Sequence, residues 1–436
     1  MHRGIRENQQ AGGQMGSITE DVNSYEGIDN VASNLSVGNK VSLFRRALLR
    51  RNIRVVTSQA GKSGNLPLWG AISNSEVKLF RSLMSAERGL SAHKLARDKT
   101  ATKKILSEAN VGVPRSYELK GSSAREDFAA IESLGLLPGV LKPNSGSHGA
   151  GVSMNIRNFD DFESALQDVG AAPIFEEQIE GRDYRLLTIG ENFFAATERK
   201  PAYVVGDGIS TVSELIDEKN RKRALNPSTK SHPIKLDDVA LACLATQGET
   251  ISSVPPEGSE VRLRFVANIG AGGDSVNRTD EVHPDFKDIC ERIPELMGNP
   301  EILGIDLLAE DISRSPDVQQ WAIIEINANP DIDLQHWPWQ GQSLNAADRL
   351  VETYFPASTV GELLSAIIVI EGKVRVKDFD RWIAHNCALA GLEARPKYGK
   401  TQIRLRVDGS QAAIDWFVEM LIRGKTGAII RSIDIE

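Results

Sequence analysis

Two apolar segments in the second half of the chain carry oxygen-bearing side chains that strongly limit how they can fold. Segment 323–327 reads Ile-Ile-Glu-Ile-Asn, and the period of two in a strand places Glu325 and Asn327 on one face. Segment 303–308 is a second apolar strand with Asp306 in its middle, where an acid is costly unless a positive charge satisfies it. Three oxygen ligands on neighbouring strands predict a site for Mg²⁺ that bridges nucleotide phosphates. The alternative is a solvated strand end.

Composition bounds the class of protein. The 436 residues are 41% hydrophobic, which is enough for two or three domains. A net charge of -8 and an aromatic content of 6% disfavour a nucleic-acid partner. An early basic cluster is interpreted as one solvated helix face, and it comprises Arg45, Arg46, Arg50, Arg51 and Arg54.

The cysteines and the hydropathy pattern indicate a cytoplasmic location. Cys243, Cys290 and Cys387 are far apart and match neither a disulfide framework nor a zinc motif, which suits a reducing compartment. No apolar run approaches the length of a membrane span, and the N-terminus has no hydrophobic signal region. We therefore expect a cytoplasmic protein without a membrane partner.

Changes in composition divide the chain into four parts. Residues 1–40 are rich in Gly, Asn, Gln and Ser and are predicted to be a disordered tail. Residues 41–97 form a small α/β segment, with a helix at 41–49 and a strand at 53–56. Residues 98–356 alternate strands and helices, which predicts an α/β domain. Residues 365–436 form a separate C-terminal unit.

A short strand at 140–143 carries Lys142 and runs into a glycine-rich loop at 144–152. Glycines let backbone N–H groups approach phosphate oxygens, and the lysine adds a compact positive charge. The lysine precedes the glycines, so the loop is neither a Walker A loop nor a Rossmann fingerprint. Lys99 and Lys103 lie four residues apart, on one face of a predicted helix. The alternatives are a plain turn and two solvated lysines.

An acidic linker at 176–181 joins an apolar strand to a second strand at 185–189. Its backbone groups and a glutamate could bind the edges of adenine, and Asp183, seven residues after Glu176, could accept hydrogen bonds from ribose hydroxyls. The alternative is an acidic hairpin turn.

These motifs occur in the order and spacing of the ATP-grasp superfamily, which the chain resembles from about residue 98 to residue 356. The resemblance is strongest to the ATP-grasp domain of bifunctional glutathione synthetases and then to cyanophycin synthetases. It extends to segments 201–216, 264–275 and 335–341. The resemblance implies an ATP-grasp fold that uses ATP and two Mg²⁺ ions, with Mn²⁺ as an alternative metal.

The resemblance also implies roles for individual residues. Lys99, Lys142 and Lys103 would hold ATP phosphates, under a loop formed by Gly146, Ser147, His148, Gly149 and Gly151. Adenine would contact Glu176, Glu177 and Ile179, and the ribose would contact Asp183. The metal ions would bind Asp306, Glu325 and Asn327. Arg185, Arg199 and Lys200 would lie near the phosphates or the substrate carboxylate, and Arg264 and Asn268 would lie near the phosphates and the acceptor. The catalytic residues implied are Arg185, Arg264 and Asn268. Arg199 and Lys200 could equally be charges at a strand end.

The family mechanism implied here is amide-bond formation. A carboxylate attacks the γ-phosphorus of ATP to give an acylphosphate, and an amine then displaces phosphate. Because water would destroy the intermediate, the glycine loop is expected to act as a lid. Two alternatives are a non-catalytic ATP-binding protein and a carboxylate kinase that stops at the acylphosphate.

The C-terminal unit is predicted to follow a ferredoxin-like order of strands and helices and resembles acylphosphatases. The catalytic pattern of that family is missing, because Phe379 is followed by Asp380 instead of arginine. No asparagine lies between Gly391 and Gly399 to position a water molecule. The unit is therefore predicted to be structural or to mediate interactions.

The substrates are expected to be amino acids or small peptides. Bifunctional glutathione synthetases carry a large glutamate–cysteine ligase region upstream, whereas 97 residues precede the resemblance here, so we expect a specialised ligase. Contacts with the amine substrate are predicted for Asp331, Asp333, Gln335 and His336, although 331–333 could be a solvated loop. The resemblance also implies a homodimer or homotetramer.

Overall fold

Helices alternate with antiparallel sheets in the computed structural model, which confirms the predicted mixed α/β class. The structure describes residues 39–57, 68–74, 76–121, 123–144, 151–170, 172–374, 378–423 and 429–435. Predictions for residues 1–38, for Gly146, Ser147, His148 and Gly149, and for the segments 375–377 and 424–428 lie outside these ranges. Among the described helices, none combines the length and the apolar character that a membrane crossing requires.

The first helix, α1 (Asn39–Arg50), begins within the last two residues of the predicted tail. Its buried Phe44 lies 5.6 Å from the ring of Trp69 and 5.3 Å from the ring of Phe80, between ring centroids. These aromatic contacts fix α1 against an antiparallel sheet with strands β1 (Arg54–Thr57), β2 (Leu68–Ser73), β3 (Glu76–Arg81) and β4 (Met84–Ser85).

The arginines between residues 45 and 54, on α1 and just after it, were predicted to form one solvated helix face, and for Arg45 and Arg51 this prediction is wrong. Arg45 is partly buried, with its guanidinium 5.5 Å from the centroid of the Trp69 ring. Nη2 of Arg51 lies 2.6 Å from a carboxylate oxygen of Glu352. The helix has apolar neighbours on several sides, so its long cationic side chains pack against aromatic surface and acidic partners instead of water.

A second sheet follows helices α2 (Gly89–Ala96) and α3 (Lys99–Glu108). Helices α4 (Ala124–Ser133) and α5 (Phe159–Asp168) cover it, and Phe128, Phe162 and Phe175 are buried between these helices and the sheet. Its strands, in spatial order, are β5 (Ser116–Glu118), β8 (Pro173–Glu177), β6 (Gly139–Pro143) and β7 (Ser153–Ile156).

The third and largest sheet has five strands. Helix α8 (Pro284–Leu296) packs Phe286 and Ile293 against its apolar face, where they meet Ile305 and Leu307. In spatial order the strands are β13 (Asp274–Asn277), β10 (Asn192–Lys200), β9 (Arg182–Ile189), β14 (Ile302–Ala309) and β15 (Trp321–Asn327).

An insertion between β10 and β13 forms a small apolar unit of its own, with Val204, Ile216 and Leu263 in its core. It consists of strands β11 (Tyr203–Val205) and β12 (Glu260–Arg262) and helices α6 (Val212–Arg223) and α7 (Asp238–Ala245). Helices α9 (Asp333–His336) and α10 (Ala346–Tyr354) follow β15.

The C-terminal unit has the predicted ferredoxin-like order of elements, with four antiparallel strands in the spatial order β17-β18-β16-β19. Its resemblance to acylphosphatases stays a prediction. Buried residues of the unit, such as Phe379 and Phe417, join the same hydrophobic cluster as Phe44 of α1. The elements are β16 (Leu364–Lys373), α11 (Phe379–Ala390), β17 (Glu393–Tyr398), β18 (Gln402–Gly409), α12 (Gln411–Arg423) and β19 (Ile429–Ile435).

The acidic linker between β8 and β9 connects two different sheets, so the alternative of a hairpin turn is wrong. Strand β8 pairs with β5 and β6, whereas β9 pairs with β10 and β14. Gly181 at the end of this linker has φ +146°, and a Cβ atom there would lie 2.6 Å from backbone atoms of Ala309. The linker therefore passes very close to the largest sheet at a position that only glycine tolerates.

Replacement of Gly181 by alanine should lower the free energy of unfolding by about 2 kcal/mol, because the new methyl group meets rigid backbone. Gly170→Ala is a matched control, since its Cβ would make an ordinary 3.7 Å contact with Pro143. We expect that control to change stability by less than about 0.5 kcal/mol in urea unfolding. Equal stability of the two variants would contradict this account of the linker.

Candidate active site

The polar face of the five-stranded sheet gathers the predicted metal ligands. Asp306 on β14 is directly opposite Glu325 on β15, and on its other side it is opposite Arg185 on β9. Directly opposed residues point to the same face of a sheet, and Asn327 shares that face because it lies two residues after Glu325. The structure thus brings together three side chains that the sequence places on two separate segments.

Two arginines surround the carboxylate of Asp306. Arg185 donates from Nε to Oδ1 and from Nη2 to Oδ2, the second contact being 3.1 Å. Arg199 on β10 also reaches Oδ2, at 3.3 Å from its Nη2. Burial opposes ionisation of Asp306, but Arg185 and Arg199 outweigh it and hold the pKa of Asp306 below its ordinary value. Arg199 therefore belongs to the buried charge cluster around Asp306, and its role in a functional site stays a prediction.

A second carboxylate, Asp183, holds Arg199 from the other side. Nε and Nη2 of Arg199 lie 2.7 Å and 2.6 Å from Oδ1 of Asp183. Burial and the negative charge of nearby Asp306 raise the pKa of Asp183 to about 6, although Arg199 acts in the opposite direction. Asp183 was predicted to lie near a ribose, and here its carboxylate is engaged by a guanidinium.

Lys103 of helix α3 and Lys142 of strand β6 form a cluster with a buried carboxylate. Lys103 and Lys142 both contact the buried carboxylate of Glu176, and Nζ of Lys142 lies 2.7 Å from Oε2. Burial and the neighbouring Lys142 lower the pKa of Lys103 to about 7, whereas Glu176 counteracts this shift. Because Lys103 is only 7% exposed, the alternative of a solvated lysine is wrong for it. Glu176 was predicted to lie near adenine, and its role there stays a prediction.

The N-terminus of α3 lies at the junction of the five-stranded sheet and the four-stranded sheet of β5 to β8. Nζ of Lys99 is 3.9 Å from Oε2 of Glu325, so α3 touches the metal-ligand face through Lys99 and the smaller sheet through Lys103. Asp98 caps the helix by accepting a hydrogen bond from the backbone of Ala101. A narrow cleft separates α3 from β15, and its lining includes Lys99, Thr102, Lys103 and Glu325.

The start of the glycine loop is tied to the same helix terminus. Oδ1 of Asn144, the residue after β6, accepts hydrogen bonds from the backbone N–H and the hydroxyl of Thr100 at 3.0 Å and 3.1 Å. Gly151 at the far end of the loop has φ +71°, a left-handed conformation that favours glycine. The loop is thus anchored beside Lys99, where the sequence predicts phosphate binding.

The predicted adenine contacts lie along the linker between the sheets. Glu177 accepts hydrogen bonds from the backbone and the side chain of Arg115, both at 2.8 Å. Ile179 is partly buried within the linker. These positions place the linker next to the cluster of Lys103, Lys142 and Glu176.

The remaining predicted residues near phosphate or carboxylate lie in or beside the insertion. Nζ of Lys200 is 2.9 Å from Glu260 on β12. Nη2 of Arg264 is 2.8 Å from Asp237, and Oδ1 of Asn268 accepts a hydrogen bond from the backbone of Gly270 at 2.8 Å. Their contacts are therefore local, and their roles in catalysis stay predictions.

Residues predicted to contact an amine substrate follow β15. Gln335 is buried, and its Nε2 donates to Oγ1 of Thr197 on β10 at 3.1 Å. Its Oε1 finds no hydrogen-bond partner among the described residues. Asp331 pairs with Lys40 of α1 at 2.9 Å, and Asp333 begins α9. Burial lowers the pKa of His336 to about 4, so this histidine is neutral at physiological pH.

The donor set fits a hard divalent cation. The described residues contain no group of three His, Cys, Asp or Glu side chains suited to a metal, and the predicted set consists of two acids and one amide. Carboxylate and amide oxygens on one sheet face are nevertheless the ligands that Mg²⁺ prefers. Oδ1 of Asn329, two residues beyond Asn327, is also buried without a hydrogen-bond partner in the described part of the chain. Asp306, Glu325 and Asn327 therefore have the ligand chemistry that a divalent cation would require.

The sequence analysis did not predict a further buried charge cluster, which joins the insertion to the five-stranded sheet. Oδ1 of Asp274 on β13 is 2.6 Å from Nη1 of Arg223, and its Oδ2 is 2.5 Å from Nζ of Lys219. Asp274 is 0% and Arg223 1% exposed. These partners are about 50 residues apart along the chain, so no local spacing pattern connects them.

Comparison with known proteins finds that the chain is similar to cyanophycin synthetases and to bifunctional glutathione biosynthesis proteins. No protein-family model matches the chain. A cyanophycin synthetase of Nostoc sp. strain PCC 7120 is 35% identical over 357 residues, which cover 79% of this chain and 39% of that protein. The bifunctional glutathione biosynthesis protein GshAB of Pasteurella multocida is 32% identical over 273 residues, covering 60% and 36% of the two chains.

A solved structure agrees with these sequence relatives. The crystal structure of a bifunctional glutathione synthetase from Pasteurella multocida matches with a TM-score of 0.55 and 26% identity, covering 72% of this chain and 43% of that chain. The chain therefore spans well under two thirds of the length of the relatives it matches.

Proposed function

Because the chain belongs to the ATP-grasp superfamily, we propose that it is an ATP-dependent carboxylate–amine ligase that joins amino acids or small peptides. One observation carries this proposal: oxygen ligands and lysines meet where the five-stranded sheet adjoins the sheet of strands β5 to β8. Asp306 and Glu325 lie on the first sheet and Lys142 on the second, and α3 contacts the first through Lys99 and the second through Lys103. The lysines would balance the negative charge of nucleotide phosphates, and the oxygen ligands would bind the divalent cation that accompanies them.

The proposed roles follow the chemistry of each side chain. Lys99, Lys103 and Lys142 hold phosphate oxygens of ATP, with the glycine loop closing over them. The linker that carries Glu177 and Ile179 frames the adenine. Asp306, Glu325 and Asn327 hold up to two Mg²⁺ ions, for which Mn²⁺ can substitute. When bound, the metal neutralises charge on the phosphates and polarises the transferring group.

The reaction has two steps in this proposal. An oxygen of the substrate carboxylate forms a bond to the γ-phosphorus, and the bond from that phosphorus to ADP breaks, giving an acylphosphate. The nitrogen of the amine substrate then bonds to the acyl carbon, the bond from this carbon to the phosphate oxygen breaks, and the amine loses a proton. In this proposal Arg185 and Arg199, which both contact Asp306, stabilise negative charge on the transferring group.

The substrate class is an amino acid or a short peptide on both sides of the new bond. This class is supported by the names of the relatives, one of which makes cyanophycin and another of which takes part in glutathione biosynthesis. Gln335 is our candidate for a contact with the amine, because one polar atom of its buried amide has no partner in the described residues.

The C-terminal unit is proposed to be non-catalytic. A cytoplasmic location and a homodimer or homotetramer remain proposals, the last testable by light scattering.

The proposal is tested by measuring ADP and phosphate release from the purified full chain with Mg-ATP and a grid of amino acids and dipeptides. We expect turnover only when one carboxylate and one amine are both present, with a product whose mass equals their sum minus water. ADP release that no amine increases would indicate a carboxylate kinase instead. ATP binding without turnover across the grid would overturn the ligase proposal.

Binding of ATP should take up a proton near pH 8. Lys103, with a pKa of about 7, is largely neutral at that pH, and the approach of phosphate anions favours its charged form. ATP affinity should therefore fall as the pH rises above about 7. Titration calorimetry in buffers of different ionisation enthalpy measures the proton directly.

A pair of adjacent lysines provides the control for this proton uptake. Lys103→Met should abolish the dependence of the binding enthalpy on the buffer, whereas Lys104→Met should keep it, because Lys104 is exposed on the other side of α3. A binding enthalpy of the unmodified chain that does not change with buffer would contradict this role of Lys103.

A further inference from the structure

Both oxygens of the Asp306 carboxylate contact arginine side chains in the structure. Oδ1 accepts a hydrogen bond from Arg185, and Oδ2 lies 3.1 Å from Arg185 and 3.3 Å from Arg199. A divalent cation that binds Asp306 would meet two guanidinium charges at close range in a buried setting, where repulsion is weakly screened. At least one guanidinium must therefore leave Asp306 when the metal binds.

The contacts distinguish which arginine can leave. Arg185 makes two hydrogen bonds to Asp306, from Nε to Oδ1 and from Nη2 to Oδ2, so it is the more firmly held of the two arginines. Arg199 has only the 3.3 Å contact to Asp306 but two shorter contacts, of 2.6 Å and 2.7 Å, to Asp183. Arg199 can withdraw from Asp306 and still keep a carboxylate partner.

Resting on the proposed function, we propose that Asp183 is a positioning residue that draws Arg199 away from Asp306 and so opens Asp306 to a divalent cation. In this proposal Asp183 positions Arg199, whereas the sequence predicts that Asp183 contacts the ribose. The withdrawn guanidinium keeps Asp183 as its partner and stays on the same sheet face as Asp306. Metal binding and the availability of Arg199 for phosphate are then coupled.

The coupling is measurable with Mn²⁺ alone, without nucleotide or substrate. The signal of free Mn²⁺ in electron paramagnetic resonance gives its dissociation constant for the full chain. Arg199→Gln should tighten Mn²⁺ binding by about tenfold, because Asp306 loses a competing partner. Asp183→Asn should weaken it by about tenfold, because Arg199 then has Asp306 as its remaining partner in this cluster.

A double-mutant cycle separates positioning from direct ligation. In the Arg199→Gln background, the further change Asp183→Asn should alter Mn²⁺ affinity less than about twofold, since the arginine it positions is gone. If Asp183→Asn weakens binding equally in both backgrounds, Asp183 acts on the metal directly and the proposal is overturned. Mn²⁺ affinity unchanged or weakened by Arg199→Gln would overturn it as well.

Two further variants test whether the change in Mn²⁺ affinity is specific to Arg199 and to the charge of Asp183. Arg278→Gln removes a guanidinium whose Nε lies 2.8 Å from Glu198, a residue of β10, the strand that also carries Arg199. Mn²⁺ affinity should not change in this variant. Asp183→Glu keeps the charge and should restore affinity to near that of the unmodified chain, even if Asp183→Asn folds poorly. Failure of this rescue in a folded Asp183→Glu protein would count against the proposal.

The outcome is separable from that of the proposed function. The chain could release ADP with a carboxylate and an amine while the variants show no coupling between Asp183 and Arg199 in Mn²⁺ binding. That result rejects only the role of Asp183. Conversely, the variants could show the coupling while the chain releases no ADP with any substrate pair. That result rejects the ligase proposal but not the proposal that metal binding displaces Arg199.

Discussion

Replacement of Asp306 by asparagine should reduce amine-dependent ADP release by about 10³-fold, the size expected when one electrostatic stabiliser of a transition state is lost. Asp306 is 5% exposed, lies opposite Glu325, and is bonded to Arg185 and Arg199. Asparagine has nearly the same shape but no charge, so the change removes a metal ligand and leaves two guanidiniums without their shared anion. Steady-state release of ADP measures the loss.

Glu310→Gln is the matched control for Asp306→Asn. Glu310 lies just beyond the end of β14, is exposed, and makes a 3.4 Å surface contact with Arg314. Such exposed pairs contribute little, so turnover should stay within about twofold of the unmodified chain. Circular dichroism and thermal melting should show both variants folded. Turnover of folded Asp306→Asn at a rate close to that of the control would remove Asp306 from the site.

Replacement of Asp274 by asparagine should lower the free energy of unfolding by about 3–5 kcal/mol, the usual cost of breaking a buried ion pair from one side. Arg223 and Lys219 would lose the anion that compensates them, and Arg223 is 1% exposed. The remaining hydrogen bonds of Arg223 to the backbone oxygens of His232 and Gly273 do not replace this charge. Urea unfolding gives the difference.

The control for Asp274→Asn lies on the same helix as Arg223. Glu218→Gln removes an exposed partner of Lys222, four residues away on α6. Its cost should be below about 0.5 kcal/mol. If Asp274→Asn is no more costly than Glu218→Gln, the buried cluster does not hold the insertion to the large sheet.

The metal-ligand face shows what a sequence pattern can predict. The period of two fixes Glu325 and Asn327 on one face as soon as 323–327 is a strand, and the structure has β15 there. That Asp306 lies opposite Glu325 depends on the register between β14 and β15, which no spacing rule specifies across the 19 residues that separate them. The order of elements in the C-terminal unit was predictable for the same reason, because each element has a clear period of its own.

The partners of charged residues could not be predicted from the sequence. Glu176 reads as part of an acidic linker, yet its carboxylate is buried between Lys103 and Lys142, which belong to a helix and to another strand. Arg199 and Asp183 meet because β9 and β10 are paired, and both meet Asp306 only after β14 joins β9. Such pairs depend on tertiary contacts, whereas periodicity describes only one element at a time.

The central claim is that a substrate carboxylate is activated by phosphorylation before an amine attacks it. The most direct test uses the carboxylate substrate labelled with ¹⁸O in both oxygens and analyses the released phosphate by mass spectrometry. The proposed mechanism predicts one ¹⁸O atom in each phosphate, since the oxygen that attacks phosphorus leaves with it when the amide forms. Unlabelled phosphate, released while ADP and the amide accumulate, would contradict an acylphosphate route.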